Sequence, residues 1–272
     1  MPELPEVETI ARGLHKRVAG DVIESVWLGS KPEPLKSSAR EIASTLQSKR
    51  IAGVRRVGKH IVIDLEPTAT SGNGAKAQWI VHLGMTGSML ICSPEAERQK
   101  HTHAVIGLAS GRELRFVDPR RFGRLSVIEN FEAAGKEPLQ VSPNEFGKLF
   151  RGRKTPIKSA LLNQKLLSGV GNIYADEALF RARVRPRRQA ASLTRAELIA
   201  LHRGLQRVLR EAIRLGGSSV SDYVDADGEE GFFQLKHRVY GREGKQCLIC
   251  KTPIKRIVIA GRSSHYCPKC QM

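Results

Sequence analysis

Two cysteine pairs near the C-terminus, Cys247-x2-Cys250 and Cys267-x2-Cys270, constrain this chain more than any other feature. Each pair is a chelating knuckle, and residues 251–266 between them fit the four-cysteine zinc spacing. Four thiolates complete a tetrahedral shell with no open position. The spacing therefore predicts one structural Zn2+, not a catalytic metal. Ile254–Ala260, between the knuckles, reads as part of a β-ribbon. Gly261–His265 would form its tip, with Arg262 displayed there. The fifth cysteine, Cys92, stands alone and reads as a small buried hydrophobe.

Upstream, the hydrophobic pattern changes character once. Residues 5–20 read as an amphipathic helix, with Val7, Ile10, Ala11 and Leu14 at helical spacing and Pro5 at the first helical position. Eight short strand-like runs follow: 22–28, 50–57, 60–65, 78–83, 88–91, 104–108, 113–116 and 124–127. Such a series predicts an antiparallel sandwich or barrel. Residues 66–76, rich in small residues, read as a loose surface loop. After a break around 132–142 the chain turns helical, over 144–150, 157–162, 173–180 and 195–215. Residues 217–240 read as a mobile loop.

The expected fold is α+β: an N-terminal β-sandwich over 1–131, a hinge over 132–143, a helical domain over 144–240 and a zinc finger over 241–272. A cleft between the first two modules would suit a long ligand.

Lys and Arg total 45 against 27 Asp and Glu, a formal net charge of +18. That excess points to a polyanionic partner, nucleic acid or an acidic membrane surface. No apolar run approaches the roughly 18 residues of a transmembrane helix, and no secretory signal is visible, so the expectation is a cytoplasmic, nucleoid-associated protein without a membrane partner.

The chain opens Met-Pro-Glu-Leu-Pro-Glu-Val-Glu. Removal of Met1 would leave Pro2 as a terminal secondary amine beside the Glu3 carboxylate. An α-amine titrates near 7.7–8.0, against about 10.4 for a lysine side chain, so a useful fraction is neutral and nucleophilic near pH 7. Further on, Gly169-Val170-Gly171-Asn172 precedes a helix. Glycines allow close backbone approach, and a helix start favours an anion such as phosphate. Arg203, Arg207, Arg210 and Arg214 recur at helical spacing and read as a solvated face.

With these pieces in place the chain resembles the formamidopyrimidine-DNA glycosylase family, which also includes endonuclease VIII. The resemblance rests on Pro2–Glu8, Gly58-Lys59-His60, His82–Gly87, Asp118–Gly123, Gly169–Glu177 and Gly261–Gln271, in the family's order. It implies a β-sandwich, a helix–two-turn–helix motif and a zinc finger. It further implies a monomeric enzyme acting on duplex DNA that holds oxidised purines or abasic sites.

In that family Pro2 would attack C1′, Glu3 would act as general acid–base, and Lys59 and Arg262 would grip phosphates within the catalytic set. Glu6 and Glu177 would organise the site. His82, Lys158, Asn172 and Tyr240 would contact DNA. Met85, Arg120 and Phe122 would fill the space left by a flipped base, although composition alone places Met85 and Phe122 in a core. Ser218, Ser219, Val220, Ser221, Asp222 and Tyr223 match the loop that closes over the lesion.

Two details depart from the family pattern: Asn163 replaces a common Asp, and 66–76 looks inserted. Two alternatives remain at this point, a pyrimidine-specific relative of the endonuclease VIII type and a non-catalytic lesion-binding protein. Arg120, Phe122 and Met85 argue against the first. An intact Pro2-Glu3 argues against the second.

Overall fold

The computed structural model describes residues 1–68, 75–219 and 223–272. They form two compact units: 1–132 with 216–231, and 133–215 with 232–272.

The first unit begins with helix α1 (Leu4–Val18), whose buried face is Leu4, Val7, Ile10, Ala11, Leu14 and Val18. Glu3 is its N-cap, so Leu4 takes the first helical position and Pro5 the second. The sequence reading was one residue late there.

Eight strands follow: β1 (Ile23–Leu28), β2 (Lys49–Val57), β3 (His60–Pro67), β4 (Ala77–His82), β5 (Ser88–Cys92), β6 (Thr102–Leu108), β7 (Glu113–Val117) and β8 (Arg124–Ile128). They make two antiparallel sheets, ordered β1-β6-β7-β5 and β2-β3-β4-β8. Alternate residues of each sheet meet in one core, as Ile61, Ile63, Leu65, Trp79 and Val81 from one and Ile106, Leu114 and Phe116 from the other. Burying one such aliphatic side chain is worth about 1.5–3 kcal/mol.

One element was absent from the sequence reading. Helix α2 (Ala39–Leu46) packs Ile42 and Leu46 into the same core and starts at a capping box of Ser38 and Glu41. Of the expected loop 66–76, residues 66 and 67 end β3, while 69–74 lie outside the described residues. Cys92 is half-buried at the end of β5, more open than expected.

The second unit contains α3 (Pro143–Phe150), α4 (Ile157–Leu161), α5 (Asn172–Arg181) and α6 (Arg195–Arg214). Gly204 on α6 would bring a Cβ to 3.2 Å from the Ala178 carbonyl of α5, which is how these two helices pack closely. The zinc-spaced tail carries a hairpin, β9 (Lys255–Ile259) and β10 (Arg262–Tyr266). Its turn is Ala260-Gly261 alone, with φ of 47° and 74°. Residues 262–265 are therefore strand and not tip, because two left-handed residues already close a tight hairpin. Among the described residues no helix is long and apolar enough to cross a membrane.

Candidate functional site

In the first unit the chemistry-bearing residues sit on short turns pinned from below. Pro2 and Glu3 are buried at the start of α1. The Glu6 carboxylate, 2% exposed, accepts the Glu3 N–H at 2.8 Å through one oxygen and the Ser218 N–H at 2.8 Å through the other. One buried acid thus fixes both the N-terminal dipeptide and the stem of the 217–231 segment.

That segment is not the loose loop the composition suggested. Tyr223 and Ala226 join the sandwich core, and the Tyr223 hydroxyl donates to the Gly216 carbonyl at 3.0 Å. Ser219 Oγ donates to the Tyr223 carbonyl and accepts from the Gly231 N–H, both at 2.9 Å. Val220, Ser221 and Asp222 lie outside the described residues.

Lys59 lies on the tight β2–β3 turn, after Gly58 at φ 61°. Glu8 of α1 pairs with Arg56 at 2.7 Å, and Arg56 donates to the Gly58 carbonyl at 3.1 Å. This chain of contacts ties the Lys59 turn to α1. The His82 ring accepts the Gly84 N–H at its Nδ1, 3.1 Å away. Burial, then the nearby His60, Lys59 and Arg124 charges, lowers its pKa to about 4. His82 is therefore neutral at pH 7, and its remaining proton is on Nε2, free to donate.

Met85 and Phe122 are 41% and 52% exposed, which overturns the core placement that composition favours. Arg120 stacks over the Phe122 ring at 4.9 Å. Beneath them Asp118, fully buried, accepts from the Thr86 hydroxyl at 2.7 Å, the Gly123 N–H at 2.7 Å and the Arg120 N–H at 3.2 Å. Gly84, at φ 65°, lies so close to the Phe122-Gly123 backbone that a Cβ would collide with it. The Met85 turn and the Arg120–Phe122 loop are thus held together by one carboxylate and one glycine.

In the second unit Asn172 opens α5, and its Nδ2 donates to Ser263 Oγ at 3.3 Å. The preceding Gly169–Gly171 turn is clasped by Gln164, which accepts the Gly169 N–H at 2.9 Å and donates to the Val170 carbonyl at 2.8 Å. Asn163 accepts the Lys165 N–H at 3.0 Å, a local turn contact that an Asp would make equally well.

The reading of Lys158 as a DNA contact needs correction. Its side chain is 1% exposed, and its ammonium pairs with Asp176 at 2.6 Å and donates to the Ser263 carbonyl. Asp176 also accepts the His265 N–H at 2.8 Å. Lys158 and Asp176 therefore hold β10, the strand on which Arg262 stands exposed. The Glu177 carboxylate is buried and accepts the N–H groups of Arg238, Val239 and Tyr240 at 2.9–3.0 Å, so it shapes the segment carrying Tyr240. Burial nevertheless raises its pKa, the three N–H bonds only partly offsetting that cost.

The four cysteine Sγ atoms lie within 4.8 Å of one another. Cys250 to Cys267 is 3.4 Å and Cys247 to Cys270 is 3.9 Å. Tetrahedral zinc with Zn–S bonds of ~2.3 Å needs sulfurs about 3.8 Å apart, so the donor set fits one Zn2+. The Thr252 hydroxyl and N–H lower Cys250 to about 6, while burial and the neighbouring thiols push Cys270 up to about 12. A divalent cation relieves that crowding. Gln271, fully buried, accepts the Cys267 N–H and donates to the Val184 carbonyl, both at 2.8 Å, joining the finger to the helices.

Residue types alone did not single out Asp118, Asp176, Gln164 or Arg56. Each acts through burial, which composition does not encode. Asp118 and Asp176 do fall within the quoted motifs, the one trace they leave in the sequence.

Comparison with known proteins agrees with this arrangement. Residues 1–125 match the formamidopyrimidine-DNA glycosylase N-terminal domain, 134–224 its H2TH domain, and 244–271 the zinc finger found in FPG and IleRS. A formamidopyrimidine-DNA glycosylase of Solibacter usitatus is 44% identical, covering 100% of this chain and 99% of the relative. The MutM (FPG) protein of Thermus thermophilus superposes with a TM-score of 0.86 at 42% identity, over 99% and 98% of the two chains. Wild-type Lactococcus lactis Fpg, solved with N7-benzyl-Fapy-dG containing DNA, gives 0.89 at 33% identity over 100% of both. The chain belongs to the formamidopyrimidine-DNA glycosylase family, and its cysteine cluster is that family's structural zinc finger.

Proposed function

We propose that this protein excises oxidised purines, 8-oxoguanine opposite cytosine and formamidopyrimidines, from duplex DNA and then cuts the strand at the resulting abasic site. The damaged nucleotide is flipped from the stack to expose C1′. With Met1 removed, the Pro2 nitrogen attacks C1′ as the C1′–N9 bond breaks and the base departs with a proton. Glu3 protonates the ring oxygen as the sugar opens. A secondary amine yields an iminium with no N–H to lose, so it remains an electron sink. Loss of a C2′ proton then expels the 3′ phosphate, and a second elimination expels the 5′ phosphate.

The observation that carries this reading is the Glu6 clamp. Its two oxygens fix the Glu3 N–H and the Ser218 N–H, so a buried acid holds the reactive dipeptide and the stem of the lesion-closing segment in one register. In the same reading His82 donates Nε2–H to a phosphate as a neutral group, and Lys59, Asn172, Arg262 and Tyr240 hold the backbone around the lesion. Such contacts position DNA without reading sequence. Met85, Arg120 and Phe122 enter the vacated stack, Phe122 as an apolar wedge. Residues 132–143 serve as hinge, and Val220–Asp222 complete the closing loop. Zinc keeps the hairpin that presents Arg262 folded.

The test compares base release from matched duplexes holding 8-oxoguanine or thymine glycol, with borohydride added to trap the iminium. Faster 8-oxoguanine release with a covalent adduct is expected. Faster thymine glycol release would transfer the chain to the endonuclease VIII type of chemistry. Active protein that gives no adduct would remove the lyase step.

A further inference from the structure

The helical unit carries a second cationic surface that the proposed lesion chemistry leaves unused. Along α6, Arg203, Arg207, Arg210 and Arg214 are all exposed and fall on one helix face. The other face, Leu201, Leu205, Val208, Leu209 and Ala212, is buried, so the stripe is fixed outward. At 1.5 Å rise per residue it runs about 16 Å.

Helical spacing alone presents these arginines as a solvated face. The structure instead lines two neighbouring hollows with them, which share Arg203 and Arg207. One of about 360 Å³ is lined by Arg181, Arg183, Arg203, Arg207 and Arg238. The other, of about 600 Å³, continues from Arg203 and Arg207 along α6 to Arg214. The single carboxylate lining them is Glu211, already paired with Arg181 at 2.9 Å. Among the described residues Arg203, Arg207 and Arg214 make no ion pair, and the buried Nε of Arg181 has no hydrogen-bond partner. The surface lies at the C-terminal end of α5, beside Phe180 and Arg181, whereas Asn172 opens the same helix about 14 Å away.

We propose that this arginine surface is a second, sequence-independent binding site for the phosphodiester backbone of undamaged duplex DNA. All its cations are arginines, whose planar fork suits phosphate oxygens bidentately. The lining offers no exposed aromatic ring, Phe180 being 3% exposed, so the bases of a single strand would find no aromatic platform there. Its length, about 16 Å, is enough for its cations to meet successive phosphates of one strand. The inference rests on α6 and the end of α5, not on the chemistry at Pro2.

The experiment saturates the intact zinc-loaded protein with a short duplex holding an uncleavable abasic analogue, then titrates a labelled undamaged duplex. A ternary complex is expected. The Arg207→Glu/Arg210→Glu variant should weaken capture of the second duplex about tenfold or more, and lower its log–log salt slope by ~1.8, or ~0.9 for each lost phosphate contact. Arg207→Gln/Arg210→Gln should fall between. Single-turnover excision on a short lesion duplex should be unchanged in both, which also certifies folding. The proposal is overturned if saturated wild-type protein takes up no second duplex, if the charge-reversed variant captures it as before, or if polyglutamate binds while duplex does not. Absent excision with intact capture would instead break the lesion chemistry alone.

Discussion

Each unit places exposed candidate site residues over a buried aspartate, and the two aspartates work differently. Asp118 accepts only neutral donors, a hydroxyl and two backbone N–H groups, and so fixes two loops. Asp176 faces the buried Lys158 ammonium and fixes a strand. Removing the first leaves unanchored loops on an intact sandwich. Removing the second leaves an uncompensated charge inside the unit. The loops bearing Met85 and Arg120–Phe122 therefore matter less for stability than the finger hairpin does.

The largest effect tests the hairpin's other anchor. Cys250→Ser should lose zinc, whose apparent binding energy in comparable fingers is about 10–16 kcal/mol. A chelator-dye assay should find no metal, and DNA affinity should fall because Arg262 is no longer held. A zinc-free variant with undiminished affinity would separate the finger from DNA binding.

Next comes Asp176→Asn, expected to cost ~3–5 kcal/mol in denaturant unfolding because Lys158 stays buried without its counter-charge. Adding Lys158→Met should restore part of that loss. If the single variant unfolds like the parent, Lys158 is not the buried cation described here.

Asp118→Ala removes three hydrogen bonds, but the donors on half-buried Thr86 and exposed Arg120 can turn to water, so the net cost should be nearer that of one lost charged bond, on the order of 1.5–3 kcal/mol. Its main consequence should be functional: weaker 2-aminopurine fluorescence on base flipping, with trapping at a preformed single-stranded abasic site unchanged. Equal loss of both would mean that Asp118 supports the whole sandwich and not just its loops.

A further comparison is the pH dependence shared by both units. His82 and His237 are each lowered from 6.5 to about 4, in both cases mainly by burial. The unfolded chain takes up these protons below pH 6.5 and the folded chain only near 4. Stability should therefore be complete above pH 6.5 and decline as pH falls toward 4. His82→Gln should flatten part of that decline in urea midpoints measured between pH 7 and 4.5. An unaltered slope would show that His82 is not held neutral.

Much of this was legible in the sequence because pattern and structure share a period. Ile61, Ile63 and Leu65 alternate, and they form one buried face of β3. The zinc knuckles were legible because metal chemistry dictates their spacing. Helix α2 was missed although Ser38 and Glu41 spell a capping box, since eight residues amid strands give little periodicity. Lys158 was misassigned because a lysine's sequence neighbours do not reveal a buried aspartate contributed by another helix. The exposure of Met85 and Phe122 ran against composition and followed only from the family resemblance.

The central claim is that the N-terminal amine of Pro2 carries the chemistry. Its most direct test is borohydride trapping on 8-oxoguanine duplex, with the adduct located by peptide mass spectrometry. Protein lacking Met1 should give an adduct on Pro2. The same protein with a retained Met1 or an acetylated terminus should give none while still binding DNA. Normal turnover and trapping with a blocked terminus would contradict the account.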